Sequence, residues 1–157
     1  AGMRAYDSIK AERGHEVNLE TPDFLEHARQ YLSKRIPVEI RMSGSSMSPA
    51  IEDGDLVTVE PLEVGALRAG DIVLYNSLRD TAVIHRIIKV ERGSGERSVL
   101  TRGDAASQND IAVPQHRILG RVKLIERAGE RINVTPSKYK ARYGLLGWLR
   151  RLKFWAR

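Results

Sequence analysis

The sequence predicts a mainly β domain with an amphipathic helix at each end, and three observations carry that reading. From Val38 to about residue 134, short apolar runs are punctuated by Gly, Pro and Asp, the pattern of strands joined by tight turns. Ahead of that stretch, Phe24, Leu25, Ala28, Tyr31 and Leu32 recur at helical spacing. Behind it, Leu145, Trp148, Leu149, Leu152, Trp155 and Ala156 gather on one face when drawn at about 100° per residue.

Residues 1–20 are polar and weakly periodic, which predicts a frayed start. Thr21-Pro22-Asp23 is a helix-opening signal. Thr caps orphan amides, Pro suits the first turn, and Asp is favourable at the positive end of the helix dipole. The helix is expected over about 22–35, before Pro37 forces the chain into an extended conformation. Strands are expected at 38–42, 56–60, 71–75, 82–90, 97–102, 117–125 and 131–134. Gly93-Ser94-Gly95 predicts a turn that pairs the fourth and fifth of these as a hairpin. The organisation read from this pattern is an N-terminal extension (1–35), one folded unit (36–134) and a C-terminal tail (135–157).

At 157 residues, 41% hydrophobic and 29% charged, the chain suits one soluble domain with short appendages. It has no cysteine, so neither a disulfide framework nor a thiolate metal site is available. The net charge of +6 is concentrated in the tail, where Lys138, Lys140, Arg142, Arg150, Arg151, Lys153 and Arg157 meet no acid. The rest holds 19 basic against 20 acidic residues, which argues against a nucleic-acid-binding face across the domain. No apolar run reaches the roughly 18 residues of a membrane span, so the chain is expected not to cross a bilayer as written.

Chemistry is concentrated in a few segments. Met42-Ser43-Gly44-Ser45-Ser46-Met47-Ser48-Pro49 lies between two expected strands, where small residues let a substrate approach the backbone and a serine can face a cleft. A serine hydroxyl is a poor nucleophile without a neighbouring base. Of the four histidines, His15 falls in the frayed start, His27 lies opposite the helix's apolar stripe, and His116 sits in a loop beside Pro114. His85 differs because it interrupts the apolar run Ala82–Ile88, and a buried imidazole requires hydrogen-bond partners. It reads as a base for the serine or as a core histidine satisfied by a backbone carbonyl. Asp104 and Asp110 follow an expected strand, and either can accept from the imidazole N–H or serve as a turn former.

Taken in order, these segments resemble the signal peptidase I superfamily of serine peptidases. Ser46-Met47-Ser48-Pro49 matches the family's Ser-Met-x-Pro box, and Glu52-Asp53-Gly54-Asp55 is similar to the Gly-Asp that follows it. Gly70-Asp71-Ile72-Val73, Ile84-His85-Arg86-Ile87 and Thr101-Arg102-Gly103-Asp104 resemble the later boxes. The resemblance covers residues 43–122, about half the chain. His85-Arg86 stands where most bacterial members carry Lys-Arg, as in the branch of endoplasmic-reticulum, archaeal and sporulation-type enzymes.

The resemblance implies a complex β-fold of the signal-peptidase and LexA type. It also implies a serine endopeptidase that cleaves a signal or pro-segment after small residues, with no metal or cofactor. Ser46 is then the nucleophile and His85 its general base. Asp110, six residues beyond the Gly-Asp pair, completes the site, with Asp104 as a structural or alternative acid. Gly44 corresponds to the oxyanion position. Having no hydroxyl, it leaves the hole to the Ser46 amide with Ser45 or Ser43.

The implied partner is an extended peptide segment of a precursor protein, and no nucleic acid is expected. Other readings are a soluble maturation protease of one precursor, a self-cleaving regulator of the LexA type, and an interaction module that keeps only the fold. The basic, tryptophan-bearing segment 144–157 suits an anionic membrane surface, or packs on the β-body or on a partner protein. Peripheral membrane association or a cytoplasmic location follows accordingly.

Overall fold

A computed structural model describes residues 4–11, 16–17, 21–63 and 65–134. The expected C-terminal helix, the whole tail and His15 lie outside these residues. Among the described residues, the strands are β1 (Arg4–Ala11), β2 (Glu16–Val17), β3 (Val38–Ser43), β4 (Leu56–Pro61), β5 (Ile72–Asn76), β6 (Ala82–Glu91), β7 (Ser98–Arg102), β8 (Val113–Pro114), β9 (Ile118–Arg127) and β10 (Glu130–Asn133). They form one sheet in the order β2-β1-β3-β4-β9-β5-β6-β7-β8, with β10 on β9, and the pairings are antiparallel.

Helix α1 spans Thr21–Ser33, starting one residue earlier than expected and ending two residues sooner. Its end is set by backbone geometry. Arg35 takes a left-handed φ of 60°, and the Ile36 amide reaches back to the Tyr31 carbonyl, closing the helix before Pro37. Phe24, Leu25, Ala28 and Leu32 are buried against the sheet, so the apolar stripe read from the sequence is the packed face.

Strand β5 is covered on both sides. Ile72 and Leu74 join the main core with α1, β3, β4 and β9, while Val73 and Tyr75 join a second cluster with Ile87, Val99 and Val113. Alternation along β6 places Ile84 in the main core and His85 on the other face, opposite Val73 in the ladder. The histidine thus borders the smaller cluster. Strands β6 and β7 pair as the expected hairpin, with a register shift between Ile87 and Lys89.

Two findings depart from the sequence reading. The supposed frayed start contributes β1, which pairs along β3 from Arg4↔Ser43 to Ala11↔Val38. Backbone hydrogen bonding to an otherwise open strand edge orders this segment, and hydrophobic periodicity does not register such a force. Strand β8 is only two residues long, below the length at which alternation can be read.

Buried ion pairs tie the loops to this frame. Asp55, 3% exposed, takes a two-pronged contact from Arg127 on β9, with Nε to Oδ1 at 2.9 Å and Nη2 to Oδ2 at 2.6 Å. Asp71 accepts from the Arg68 amide at 2.9 Å, and the Arg121 guanidinium lies 3.7 Å away. Gly120 is packed so closely that an added Cβ would meet Val59 Cγ1 at 2.5 Å and the Glu60 carbonyl oxygen at 2.7 Å. The carbonyl belongs to the β4 ladder and cannot easily yield. Gly120→Ala is therefore expected to destabilise the fold by about 1–3 kcal/mol, seen as a lower denaturant midpoint in equilibrium unfolding.

Candidate active site

The segment after β3 is a compact turn, and the sequence explains its shape. Gly44 adopts φ 96°, a conformation strained for residues with a side chain, and its amide donates to Asp53 Oδ1 at 2.8 Å. Ser48 N and Ile51 N donate to the Ser45 and Met47 carbonyls, folding the chain through two successive turns. Met47 and Ile51 are fully buried in the main core, so the residue just before Met47 is held at the surface of the turn. That residue is Ser46.

Ser46 Oγ lies 3.1 Å from His85 Nε2, and His85 Nδ1 lies 2.6 Å from Asp110 Oδ2. The three side chains come from the turn after β3, from β6 and from the loop between β7 and β8. Asp110 is half-buried. Burial alone would raise its pKa, but hydrogen bonds from His85 and Thr101, the charge of His85 and a hydrogen bond from Tyr75 together hold it below the usual carboxylate range. An ionised carboxylate can only accept, so Nδ1 carries the proton of the neutral ring. Nε2 is then the acceptor, and the serine hydroxyl donates to it.

Asp104 is engaged elsewhere. Arg86 donates from Nε to Asp104 Oδ1 at 2.8 Å and from Nη2 to Oδ2 at 2.6 Å, while its Nη1 reaches the Gly70 carbonyl at 2.9 Å. Asp110 meets the imidazole and Asp104 anchors the loop start to β6.

Gly103 packs directly on the pair. A Cβ there would sit 2.6 Å from the Ser46 carbonyl oxygen and 3.1 Å from His85 Nε2. The same carbonyl accepts from the Ala105 amide at 2.9 Å, so the loop bearing the acid is stitched to the turn bearing the serine.

Among the residues proposed for an oxyanion site, the Gly44 amide is occupied by Asp53. Ser45 is exposed, and Ser43 ends β3 opposite Arg4. The Ser46 amide donates to no group among the described residues. Among the described residues, no cluster of three His, Asp or Glu side chains is placed to hold a metal ion. The other described histidines lie apart from the site. His27 bonds the Asp23 carbonyl one turn back, and exposed His116 pairs with exposed Glu96.

Two contacts were not singled out from the sequence. Thr101 Oγ1 and the Tyr75 hydroxyl reach Asp110 Oδ2 at 2.8 and 3.3 Å. Burial pushes the Tyr75 phenol well above its ordinary pKa, so it remains a donor. Neither carries a sequence signal like that of His85, since threonine and tyrosine are ordinary strand residues.

A profile of the family described as Peptidase S24-like matches residues 5–123. The chain is also similar to the signal peptidase complex catalytic subunit SEC11C of Homo sapiens, 38% identical over 76 residues, covering 47% of this chain and 39% of that protein. The corresponding SEC11 subunit of Lachancea thermotolerans is 32% identical over 126 residues, covering 71% of this chain and 73% of that protein. That of Clavispora lusitaniae is 25% identical over 124 residues, covering 72% and 74%. The chain spans 39% of the length of the SEC11C relatives.

The depressed ionisation of Asp110 fixes a direction in pH. Its folded pKa lies below the unfolded one, so the stability it contributes is complete above the ordinary carboxylate value of about 4 and disappears as pH falls through the folded value. Wild type is expected to melt above Asp110→Asn at neutral pH, with the lead shrinking once pH drops below about 4. Melting curves recorded from pH 7 to pH 2 test this, and a constant gap throughout would contradict it.

Proposed function

Because the chain belongs to the Peptidase S24-like family, within the signal-peptidase-type superfamily of peptidases, we propose that it is a serine endopeptidase acting by an acyl-enzyme mechanism. The observation that carries this reading is the unbroken line from Ser46 Oγ to His85 Nε2 and from His85 Nδ1 to Asp110 Oδ2. A nucleophile, a base of the correct tautomer and an acid that orients the base are the parts that acyl transfer needs.

In the proposed reaction, His85 Nε2 takes the Ser46 hydroxyl proton as Oγ attacks the scissile carbonyl carbon. The resulting oxyanion is stabilised by the Ser46 amide. The imidazolium, steadied by ionised Asp110, then gives its proton to the leaving amine, and the C–N bond breaks to leave an ester on Ser46. Water attacks that ester while His85 accepts a proton from the water, and the imidazolium returns this proton to Ser46 Oγ as the acyl C–O bond breaks. Asp110 stays ionised throughout, in keeping with the groups that hold its pKa down.

The proposed substrate is an extended segment of a precursor, cleaved after small residues, as the resemblance to signal peptidase catalytic subunits implies. Gly44 and the small residues around it support close approach of such a chain to the turn. Whether many precursors or one are processed is decided by surveying which protein N-termini change when Ser46→Ala replaces wild type in cells. Among the described residues, no helix is long and apolar enough to cross a membrane. The tail is proposed to meet an anionic membrane surface through residues 144–157, on the strength of its Leu/Trp stripe and flanking arginines.

Ser46→Ala and His85→Ala are each expected to lower kcat on a soluble peptide by roughly 10⁴-fold or more, because nucleophile and base act as a unit; both keep the fold, and His85→Ala melts lower because it also removes the hydrogen bond to Asp110. Ser45→Ala and Ser43→Ala are expected to cost less. An acylating peptidase inhibitor should add its mass to Ser46, and hydrolysis at full rate by Ser46→Ala would defeat the assignment.

For the tail, flotation with vesicles provides the readout. The full chain should rise with anionic vesicles more than with neutral ones, and truncation after Tyr143 should abolish flotation while sparing peptide hydrolysis. Equal recovery with both vesicle types would remove the anionic surface from the reading.

A further inference from the structure

The acid that meets His85 stands on a loop with no regular structure between Gly103 and Ala112. A carboxylate there has no ladder or helix to fix its direction. Yet one oxygen, Asp110 Oδ2, is approached by three groups: His85 Nδ1 at 2.6 Å, Thr101 Oγ1 at 2.8 Å and the Tyr75 hydroxyl at 3.3 Å. The two hydroxyls also lie 3.1 Å from each other. The backbone adds a further hold, since the Asp110 amide donates to the Thr101 carbonyl at 2.8 Å.

We propose that Thr101 and Tyr75 form a positioning clamp on Asp110. Thr101 grips both the amide and the carboxylate, and Tyr75 braces the carboxylate and the imidazole together. The inference rests on the reading of Ser46 and His85 as nucleophile and base, and it assigns to these two residues the geometric precision of that pair.

The proton count supports the clamp. Each hydroxyl has a single proton, and three contacts join the two hydroxyls and the carboxylate. Thr101 donates to Asp110 and Tyr75 to Asp110 or Thr101, or else Thr101 donates to Tyr75 and Tyr75 to Asp110. Every arrangement leaves at least one hydroxyl proton directed at Oδ2. Both residues are buried, Thr101 completely, so water does not compete for these contacts. The Tyr75 ring also meets His85 edge-on, with centroids 6.5 Å apart and planes inclined at 65°, which limits rotation of the imidazole away from Ser46.

The clamp also accounts for which acid is chosen. Asp104 lies one residue from Gly103 and nearer in sequence to β7, but its carboxylate is saturated by Arg86. Asp110 is reached by neutral hydroxyls, which direct the carboxylate without neutralising it. It therefore keeps its full charge for the imidazolium that forms during the reaction.

The test uses Thr101→Val, which keeps shape and removes the hydroxyl, with Tyr75→Phe, the double variant and Thr101→Ser. Thr101→Val should lower kcat on a soluble peptide about 10-fold, the scale of one hydrogen bond to a charged group, with KM little changed. Thr101→Ser should restore most of the rate. A readout independent of turnover is the carboxyl ¹³C titration of Asp110. Its midpoint should move to higher pH in Thr101→Val and further in the double variant, and the downfield Nδ1 proton of His85 should shift.

An unmoved Asp110 titration in both single variants overturns the clamp, whatever the activity. Equally, a rate loss in Thr101→Val that Thr101→Ser does not relieve, with a matching fall in melting temperature, shows packing rather than positioning. Should wild type show no peptidase activity or Ser46 acylation, the reaction proposed above fails, while the two spectroscopic readouts still decide whether the clamp exists.

Discussion

An imidazole placed inside an apolar strand must have both ring nitrogens satisfied, and much of this structure follows from that requirement at His85. The residue is only 9% exposed and borders the cluster of Val73, Tyr75 and Ile87, so water cannot serve as its general partner. One nitrogen needs an acceptor and the other a donor. The acceptor comes from a loop beyond β7 and the donor from a turn after β3, which brings distant parts of the chain to the same point of the sheet. Gly103 lacks a side chain because the serine turn and the acid loop must touch for both partners to be within reach.

The remaining aspartates divide the structural labour. Asp55 and Arg127 fasten the end of the serine loop to β9, Asp71 caps the approach to β5, and Asp104 with Arg86 fixes the start of the acid loop. The acidic residues of the Gly-Asp segments thus hold backbone amides or an arginine side chain, and the carboxylate that meets His85 lies outside them. Repeated Gly-Asp pairs in the sequence therefore mark the joints of the scaffold, and the site lies between those joints.

Much of this was legible from residue order. The seven expected strands appear with ends displaced by at most two residues, most of them because Val, Ile and Leu fill the positions that the core requires. Helix α1 was legible from its stripe and its opening residues. Strand β1 was not, because its pairing is a backbone matter in a polar segment. In the candidate site, Ser46 and His85 stood out as a serine among small residues and a histidine among aliphatic ones. Residue types alone left Asp104 and Asp110 open and only the family resemblance favoured Asp110; the engagement of Asp104 by Arg86 is visible in the structure alone. Thr101 and Tyr75 went unread because threonine and tyrosine are ordinary strand residues whose hydroxyls reveal a purpose only when a carboxylate faces them.

The contact between Asp55 and Arg127 joins residues 72 positions apart, and β4 is closed into the sheet by β9, the last long strand. During synthesis the serine turn emerges early, but the strand that secures it is made near the end of the folded unit. Until then β4 lacks one neighbour and the turn lacks its guanidinium anchor, so Ser46, His85 and Asp110 have no common frame. Ordering of the Ser46 turn therefore depends on the arrival of β9, the strand that carries Arg127.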